Sequence, residues 1–301
     1  MRITFLGTSG SMPTPERGSS SIVIRKERQL IMLDCGEGTQ RQMVMAGVGF
    51  QREMRIFITH MHGDHVLGLP GLLQSMSLLR REKELHIYGP VGLVGFVKAF
   101  SESIGDPSFP VILHEIQEPG VIHEEEGYTV EAVRANHRDT AWSFGLFESE
   151  RPGKFHPDKA KKLEIPVGSD WSMLQHGETV EVDGRTITPD MVSDPPRPGR
   201  RIVYSGDTSP TEALTVLAKR ADILIHEATF MDELADRADE DGHTTATQAA
   251  ELAKKAKVGM LILTHISSRY PYPEIIQEEA LQVFDKVTVA EDLMWIQVPL
   301  K

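Results

Sequence analysis

The sequence predicts an α/β protein in which helices enclose two β-sheets in four layers, an αββα arrangement, with one long insertion. Two sets of strand-like runs support the prediction. The first covers residues 3–6, 21–25, 29–33 and 55–59, with helical stretches near 38–46 and 70–79. The second covers residues 201–204, 223–226 and 260–264. Because both sets alternate with helical stretches, a layered fold around packed sheets is favoured.

Two further segments complete the predicted organisation. Residues 244–256 open with Thr244 and Thr245 and are rich in alanine, which is typical of an outer helix on a sheet. Residues from about 148 to 198 shift to Pro, Gly, Lys and Asp with little periodicity. A stretch this long without a core pattern is normally a functional insertion or a disordered linker. We therefore predict one domain, 1–301, with an insertion at about 148–198.

Composition limits the class of protein. The single cysteine, Cys35, excludes an internal disulfide and suits a reducing compartment; we expect it to be a small buried side chain. Residues 1–6 lack a signal-peptide pattern, and no apolar run approaches the roughly 20 residues that span a membrane. We expect a cytoplasmic protein with no membrane partner.

Residues 59–65, Thr-His-Met-His-Gly-Asp-His, carry the strongest functional signal. The H-x-H-x-D-H cluster follows a strand-like run, so it lies in a loop where a buried strand ends. Imidazole and carboxylate together suit zinc, and Gly63 lets the backbone turn tightly. His60 and His62 can then face one ion while Asp64 and His65 face a second. The alternative is a histidine-rich surface loop.

Three more candidate ligands follow strand-like runs later in the chain: Asp207, His265 and His137. Each has an ordinary alternative, because Asp207 could be a turn residue and either histidine could be hydrogen-bonded in the core. Together with the first cluster they supply the extra donors that a pair of catalytic metal ions needs, with a carboxylate as the bridge. The sequence therefore predicts a dinuclear metallohydrolase.

Beyond the metal motif, six segments run in an order that resembles the metallo-β-lactamase superfamily and, within it, the ribonuclease Z family. They are GTSG (7–10), DCGEGTQRQM (34–43), GLPGLL (68–73), YSGDT (204–208), HEATF (226–230) and THISSRY (264–270). The resemblance implies a metallo-β-lactamase fold whose insertion is a flexible arm that grips transfer RNA. It also implies a homodimer in which the arm of one subunit helps to place RNA at the site of the other.

The implied activity is zinc-dependent removal of the 3′ trailer from precursor transfer RNA, leaving a 3′-hydroxyl on the transfer RNA and a 5′-phosphate on the trailer. Two zinc ions per subunit would be held by His60, His62, His137 and Asp207 on one side and by Asp64, His65, His265 and the shared Asp207 on the other. His243 would donate a proton to the leaving oxygen, Glu227 would orient His243, and Asp64 would accept a proton from the attacking water. Thr244 departs from the serine usual after this histidine.

The net charge of −12 is unusual for an enzyme that binds a polyanion, so local basic patches must attract it. The best candidates are Lys154, Lys159, Lys161 and Lys162. Arg17 lies in the loop with which the family senses the CCA end, although Gly18 stands where asparagine is common. The tip of the arm, 165–177, is less basic than expected, and Trp171 there could stack on a base or pack within the arm.

Two other functions remain open: a generic phosphodiesterase or small-molecule hydrolase with the same metal pair, or a nucleic-acid-binding module without catalysis. The complete ligand set argues against the second. The apolar run 67–73 is a candidate dimer contact, and a core helix would explain it equally well.

Overall fold

The computed structural model describes residues 1–137 and 140–300. The chain forms two compact units. The first comprises Met1–Glu124, Val130–Leu146 and Arg201–Pro299, and the second centres on Phe147–Arg200 with Glu125–Thr129. Among the described residues, no helix has the length and apolar character that crossing a bilayer requires.

The elements before the second unit are β1 (Arg2–Gly7), β2 (Ser9–Gly10), β3 (Ser21–Lys26), β4 (Gln29–Leu33), α1 (Thr39–Met45), β5 (Glu53–Phe57), α2 (Gly63–Val66), α3 (Gly68–Leu78), β6 (Leu85–Pro90), α4 (Leu93–Ile104), β7 (Val111–Ile116), β8 (Gly120–Glu125), β9 (Tyr128–Arg134) and β10 (Trp142–Glu148). The second unit contains α5 (Pro157–Lys162), α6 (Ser169–Gln175), β11 (Val180–Val182), β12 (Arg185–Ile187) and α7 (Pro189–Val192). The chain continues with β13 (Arg201–Tyr204), α8 (Glu212–Leu217), β14 (Ile223–Glu227), a 3-10 turn (Asp232–Leu234), α9 (Ala235–Asp241), α10 (Ala246–Ala256), β15 (Leu261–Thr264), β16 (Ile266–Ser267), α11 (Glu274–Leu281), β17 (Val287–Val289) and β18 (Trp295–Gln297).

Two seven-stranded mixed sheets form the centre of the first unit. Their strand orders are β18-β1-β3-β4-β5-β6-β7 and β17-β15-β14-β13-β10-β9-β8. In the first sheet β4, β5, β6 and β7 are parallel, and in the second β13, β14, β15 and β17 are parallel. Because parallel strands end at the same edge of a sheet, the loops that follow β13 and β15 lie close together. The loop that follows β5 in the first sheet meets them, since His60 and His265 both lie within 3.7 Å of Asp207.

The inner faces of the two sheets pack on each other. The rings of Phe57 in β5 and Phe144 in β10 meet edge to face with centroids 5.7 Å apart. On the outer face of the first sheet, α1, α3 and α4 cover one apolar cluster that includes Met54, Leu69 and Val97. Helix α10 packs on β14 and β15 of the other sheet. The predicted α/β class and αββα arrangement are confirmed.

Hydrogen bonds from side chains explain two differences from the predicted bounds. The strand predicted at 55–59 ends at Phe57, because the backbone N–H of Thr59 donates to the Asp34 carboxylate at 2.7 Å instead of pairing with a strand. The helix predicted from residue 244 begins at Ala246, because Thr245 and Gln248 form a capping box at its N-terminus. The sequence analysis also missed strands β6, β7, β8, β10, β17 and β18 of the two main sheets and helices α4, α8 and α11.

The apolar run 67–73 lies mainly in the core. Leu69, Leu72 and Leu73 in α3 are buried, whereas Leu67 is 53% exposed. A core helix therefore explains this run except at Leu67, because α3 turns the other three leucines toward the first sheet. An exposed apolar contact surface is not formed by the run as a whole.

The second unit has an apolar core of its own. Ala160, Ile165, Leu174, Val180, Val182, Ile187 and Val192 are buried together. Trp171 packs against Phe155, and its indole N–H donates to the Ile165 carbonyl at 3.1 Å, which favours the packing role for this side chain. The insertion expected at about 148–198 falls within this unit; its description as an arm of a single domain stays a prediction.

Candidate metal centre and active site

Loops at the ends of parallel strands bring the predicted metal ligands together. His60 and His62 follow β5, Asp64 and His65 lie in α2, His137 follows β9, Asp207 follows β13 and His265 follows β15. Their donor atoms form overlapping groups in which all atoms lie within 4.8 Å of one another: His60, His62 and His137; His60, His65 and Asp207; Asp64, His65 and His265.

Gly206 allows two of these loops to approach each other. Its φ angle is +59°, and a Cβ atom there would lie 2.8 Å from the Thr59 side chain and 3.0 Å from the Trp142 carbonyl oxygen. Both the left-handed backbone and the lack of space exclude a side chain. Glycine at this position therefore lets Asp207 reach the His60 loop.

The arrangement of the donor atoms fits metal ions. The Nε2 atoms of His65 and His265 lie 3.3 Å apart, as do His137 Nε2 and His62 Nδ1. His60 Nε2 and Asp207 Oδ1 are buried and have no hydrogen-bond partner in the part of the chain that the structure describes. A buried polar atom without a partner is costly unless a ligand satisfies it. Histidine and carboxylate donors are also the set that divalent transition metals prefer.

The charge states of the ligands suit a cation. Burial alone would raise the pKa of Asp64, but the neighbouring imidazole groups of His265 and His65 hold it well below its usual range. Asp207 is buried too, and neighbouring His265 and His65 likewise keep its pKa low. Burial lowers the pKa of His60 well below its ordinary value. Burial would lower the pKa of His65, but Asp207 and Asp34 outweigh it and raise that pKa well above its ordinary value. The centre therefore offers two anionic carboxylates and, at His60, a neutral imidazole, whereas His65 must lose a proton before Nε2 can bind a metal ion.

Asp34 supports the metal centre through hydrogen bonds. Its Oδ2 accepts hydrogen bonds from His65 Nδ1 and from the Tyr204 hydroxyl, both at 2.8 Å, and its Oδ1 accepts the Thr59 amide. A carboxylate on Nδ1 fixes the histidine tautomer so that Nε2 is free to bind a metal. Asp34 thus supports the metal-binding loop through hydrogen bonds.

Glu227 and His243 form a second polar pair beside the metal ligands. His243 Nδ1 and Glu227 Oε1 are 2.8 Å apart, and Oε1 also accepts the Thr208 amide at 2.8 Å. Burial would lower the pKa of His243, but the Glu227 carboxylate outweighs it and raises that pKa to about 9. His243, His62, Asp64, His137 and Asp207 line one cavity of about 190 Å³ with Ser11 and Asp241. An imidazolium can thus reach a substrate that occupies the metal centre.

Thr229, named by the sequence only as part of a motif, connects the two groups. Its buried hydroxyl donates to Glu227 Oε2 at 2.6 Å and lies 2.8 Å from His265 Nδ1. With Nδ1–H donating to Thr229, His265 Nε2 is left to face the metal centre. The sequence signal that could have identified Thr229 was its position two residues after Glu227, the last residue of β14.

Ser11 is a second residue that sequence reasoning missed. Its backbone N–H donates to Asp64 Oδ2 at 2.9 Å, and its φ angle is +60°. A backbone amide has no signature in the residue type, so this contact could not be predicted from the residues alone.

The predicted RNA-binding residues lie in different settings. Lys154, Lys159, Lys161 and Lys162 are exposed in the second unit. Arg17 donates instead to Thr8 Oγ1 at 2.6 Å and to the Ala290 carbonyl at 2.7 Å, so its guanidinium holds the loop to the protein. All five remain predictions as RNA contacts.

Comparison with known proteins places the chain in a family. Residues 1–160 match the family model of the anti-Pycsar protein Apyc1, and residues 172–266 match that of the beta-lactamase superfamily domain. Ribonuclease Z of Methanosarcina acetivorans is 45% identical over 100% of this chain and 99% of its own length, and that of Methanosarcina mazei is 43% identical with the same coverage. The crystal structure of the short form of human tRNase Z is 32% identical and covers all of both chains with a TM-score of 0.74. The chain thus has the metallo-β-lactamase fold and belongs to the ribonuclease Z family.

Proposed function

We propose that this chain is an endoribonuclease that hydrolyses precursor transfer RNA at its 3′ end, leaving a 3′-hydroxyl on the transfer RNA and a 5′-phosphate on the trailer. The observation that carries the proposal is the 45% identity to a ribonuclease Z over the full length of both chains. The donor set beside the Glu227–His243 pair supports the hydrolytic chemistry.

Two zinc ions per subunit are part of the proposal. A tetrahedral zinc ion with bonds of about 2.05 Å separates its ligand atoms by about 3.3 Å. The separations between His65 and His265 and between His137 and His62 are both 3.3 Å. We assign His60, His62, His137 and Asp207 to one ion and Asp64, His65, His265 and the shared Asp207 to the other. When bound, the ions would activate water and neutralise charge on the phosphate oxygens.

Three side chains of the protein, Asp64, His243 and Glu227, would transfer or position the protons of the reaction. In the proposed step, water attacks the phosphorus, one of its protons passes to Asp64, and His243 donates a proton to the departing 3′ oxygen. Glu227 holds His243 in its charged form through the 2.8 Å contact with Nδ1, so that Nε2 carries the proton to be donated. Because the pKa of Asp64 is low, Asp64 is a weak base that orients the water and accepts its proton only transiently.

Replacing His243 by Ala tests the proton donor. We expect turnover of precursor transfer RNA to fall by about 10²-fold or more, since general acid catalysis contributes roughly that factor. A phosphodiester with a nitrophenyl leaving group needs no proton, so its hydrolysis and the metal content should be nearly normal. Glu227→Gln should show the same selective loss. Equal losses on both substrates would exclude the role of leaving-group acid for His243.

Deleting part of the second unit tests the substrate. Arg151 and Arg197 pair through two backbone hydrogen bonds of 2.8 Å, so residues 152–196 can be replaced by a short glycine linker that joins neighbouring points of the chain. We expect the shortened protein to lose cleavage of precursor transfer RNA and to keep hydrolysis of the nitrophenyl diester. If both activities change equally, the alternative of a generic phosphodiesterase or small-molecule hydrolase is favoured.

We also propose that the protein is a homodimer and that it is located in the cytoplasm. Helices α1 and α3 are neighbours, and Val44, Met45 and Leu78 on them are 67%, 53% and 84% exposed. Exposed apolar side chains on adjacent helices favour a protein interface. Light scattering should give twice the mass of the chain, and a monomer at micromolar concentration would exclude the dimer.

The single cysteine supports the cytoplasmic location.

A further inference from the structure

Three arginine side chains, Arg2, Arg25 and Arg52, line one cavity on the outer face of the first sheet. The cavity has a volume of about 50 Å³, and the segment Gly47–Gly49 after α1 closes part of it. Because a single water needs about 10–15 Å³ by this measure, the cavity has room for a small ion. It lies at the start of β5, whereas the metal ligands follow the end of that strand.

The three arginines lie close together although their positive charges repel one another. Arg2 and Arg25 stand directly opposite each other on the antiparallel strands β1 and β3. Like charges in this position destabilise a strand pair. No carboxylate within the described residues forms an ion pair with any of the three, although the chain has 44 acidic residues. The arrangement is therefore suited to a negative partner that the described residues do not supply.

The hydrogen-bonding capacity of the three guanidinium groups is also largely unused. In the part of the chain that the structure describes, their one hydrogen bond runs from Arg25 Nε to the Glu27 carbonyl, at a long 3.5 Å. Arg2 Nε is buried and has no hydrogen-bond partner there. The Arg2 guanidinium lies 4.4 Å from the centre of the Trp295 ring, which orients the group without neutralising its charge.

We propose that this cavity is a second binding site, distinct from the metal centre, for a phosphate group. Guanidinium forks match the oxygens of a tetrahedral oxyanion, and an anion between Arg2 and Arg25 would convert their repulsion into attraction to a common partner. The phosphate could belong to an RNA backbone or be free in solution. Both sources present the same oxygen chemistry to the three arginines.

Trp295 provides a local probe of the site. The protein has three tryptophans, so labelling with fluorotryptophan gives three ¹⁹F resonances, and Trp295→Phe identifies the one next to Arg2. Titration of the metal-loaded protein with inorganic phosphate should move the Trp295 resonance to a plateau, and potassium chloride of the same ionic strength should not. Arg25→Gln with Arg52→Gln should weaken this binding by about tenfold or more, since two charge-assisted contacts are lost.

Arg28→Gln is the matched control, because Arg28 is an exposed arginine of the same hairpin that does not line the cavity. It should leave phosphate binding unchanged. If the double variant fails to fold, Arg25→Gln alone serves, since Arg25 is exposed. The proposal is overturned if the Trp295 resonance does not move, if its shift fails to saturate, or if the Arg25 and Arg52 variants bind phosphate as tightly as the wild type and Arg28→Gln.

A second titration separates the two sources of the phosphate. A 2′-O-methyl RNA hexamer without terminal phosphates carries only phosphodiesters. If it moves the Trp295 resonance at a lower concentration than inorganic phosphate, and the arginine variants abolish this, the site binds RNA backbone. If only inorganic phosphate moves the Trp295 resonance, the ligand is a free phosphate or a phosphate monoester. If neither compound moves it, the cavity is not a phosphate site.

Discussion

Replacing Thr229 by valine removes one hydroxyl group that lies between the Glu227–His243 pair and the metal ligand His265. Valine has nearly the same shape as threonine but no hydroxyl, so the change removes hydrogen bonds and leaves their buried partners unsatisfied. The 2.6 Å bond to Glu227 and the 2.8 Å contact with His265 Nδ1 are both lost. Since Thr229 is only 4% exposed, water cannot easily replace the hydroxyl.

The structure indicates the size of the effect. Glu227 keeps the Thr208 amide and His243 on its other oxygen, whereas the donor on His265 Nδ1 loses its close acceptor. A buried donor left without a partner costs about 1–3 kcal/mol. Part of this cost is avoided if the His265 ring rotates, which moves Nε2 away from the metal. Loss of such an outer partner typically lowers metal affinity or activity by about 10- to 100-fold.

Two measurements check this prediction: zinc affinity by competition with a chelator, and the turnover of precursor transfer RNA. Both should fall in Thr229→Val, while Thr229→Ser, which keeps the hydroxyl, should stay near the wild type. Thr215→Val is a matched control, because Thr215 is a buried threonine of α8 whose hydroxyl, among the residues that the structure describes, bonds only the Thr211 carbonyl. The reasoning is refuted if Thr229→Val binds zinc and turns over normally, or if Thr229→Ser loses as much as Thr229→Val.

Three further outcomes follow from the geometry. Asp207→Ala removes the proposed bridge, so elemental analysis should find at least one zinc fewer per chain and activity should be abolished; a fully metallated, active variant would contradict the assignment. Neutralising the four exposed lysines of the second unit should raise the KM for precursor transfer RNA and reduce its log-log salt slope by up to about four, whereas the same change at Lys98, Lys219, Lys254 and Lys257 should not. Burial raises the pKa of the Cys35 thiol to about 12, so this group is protonated at pH 8 and should react with a thiol reagent only after unfolding; rapid labelling of the native protein would show that the thiol is accessible.

The sequence by itself determined the metal-binding character of the site. Four ligand-type side chains fall within residues 60–65, so their proximity is a property of the local chain and needs no fold to be recognised. The convergence of Asp207 and His265 was predictable for a related reason, since each follows a strand of a parallel set and such strands end at one edge. The αββα class followed from the same alternation of strands and helices.

Only the tertiary structure decided how these groups are supported. The hydroxyl of Thr229 reaches His265 across 36 positions of the chain, and the Ser11 amide reaches Asp64 across 53. Likewise, the direct opposition of Arg2 and Arg25 arises from the pairing of β1 with β3. Hydrogen bonds and charge pairs of this kind depend on the register and separation of packed strands. Neither residue type nor periodicity carries that information, because a threonine, an amide or an arginine has the same local signature wherever its partner lies.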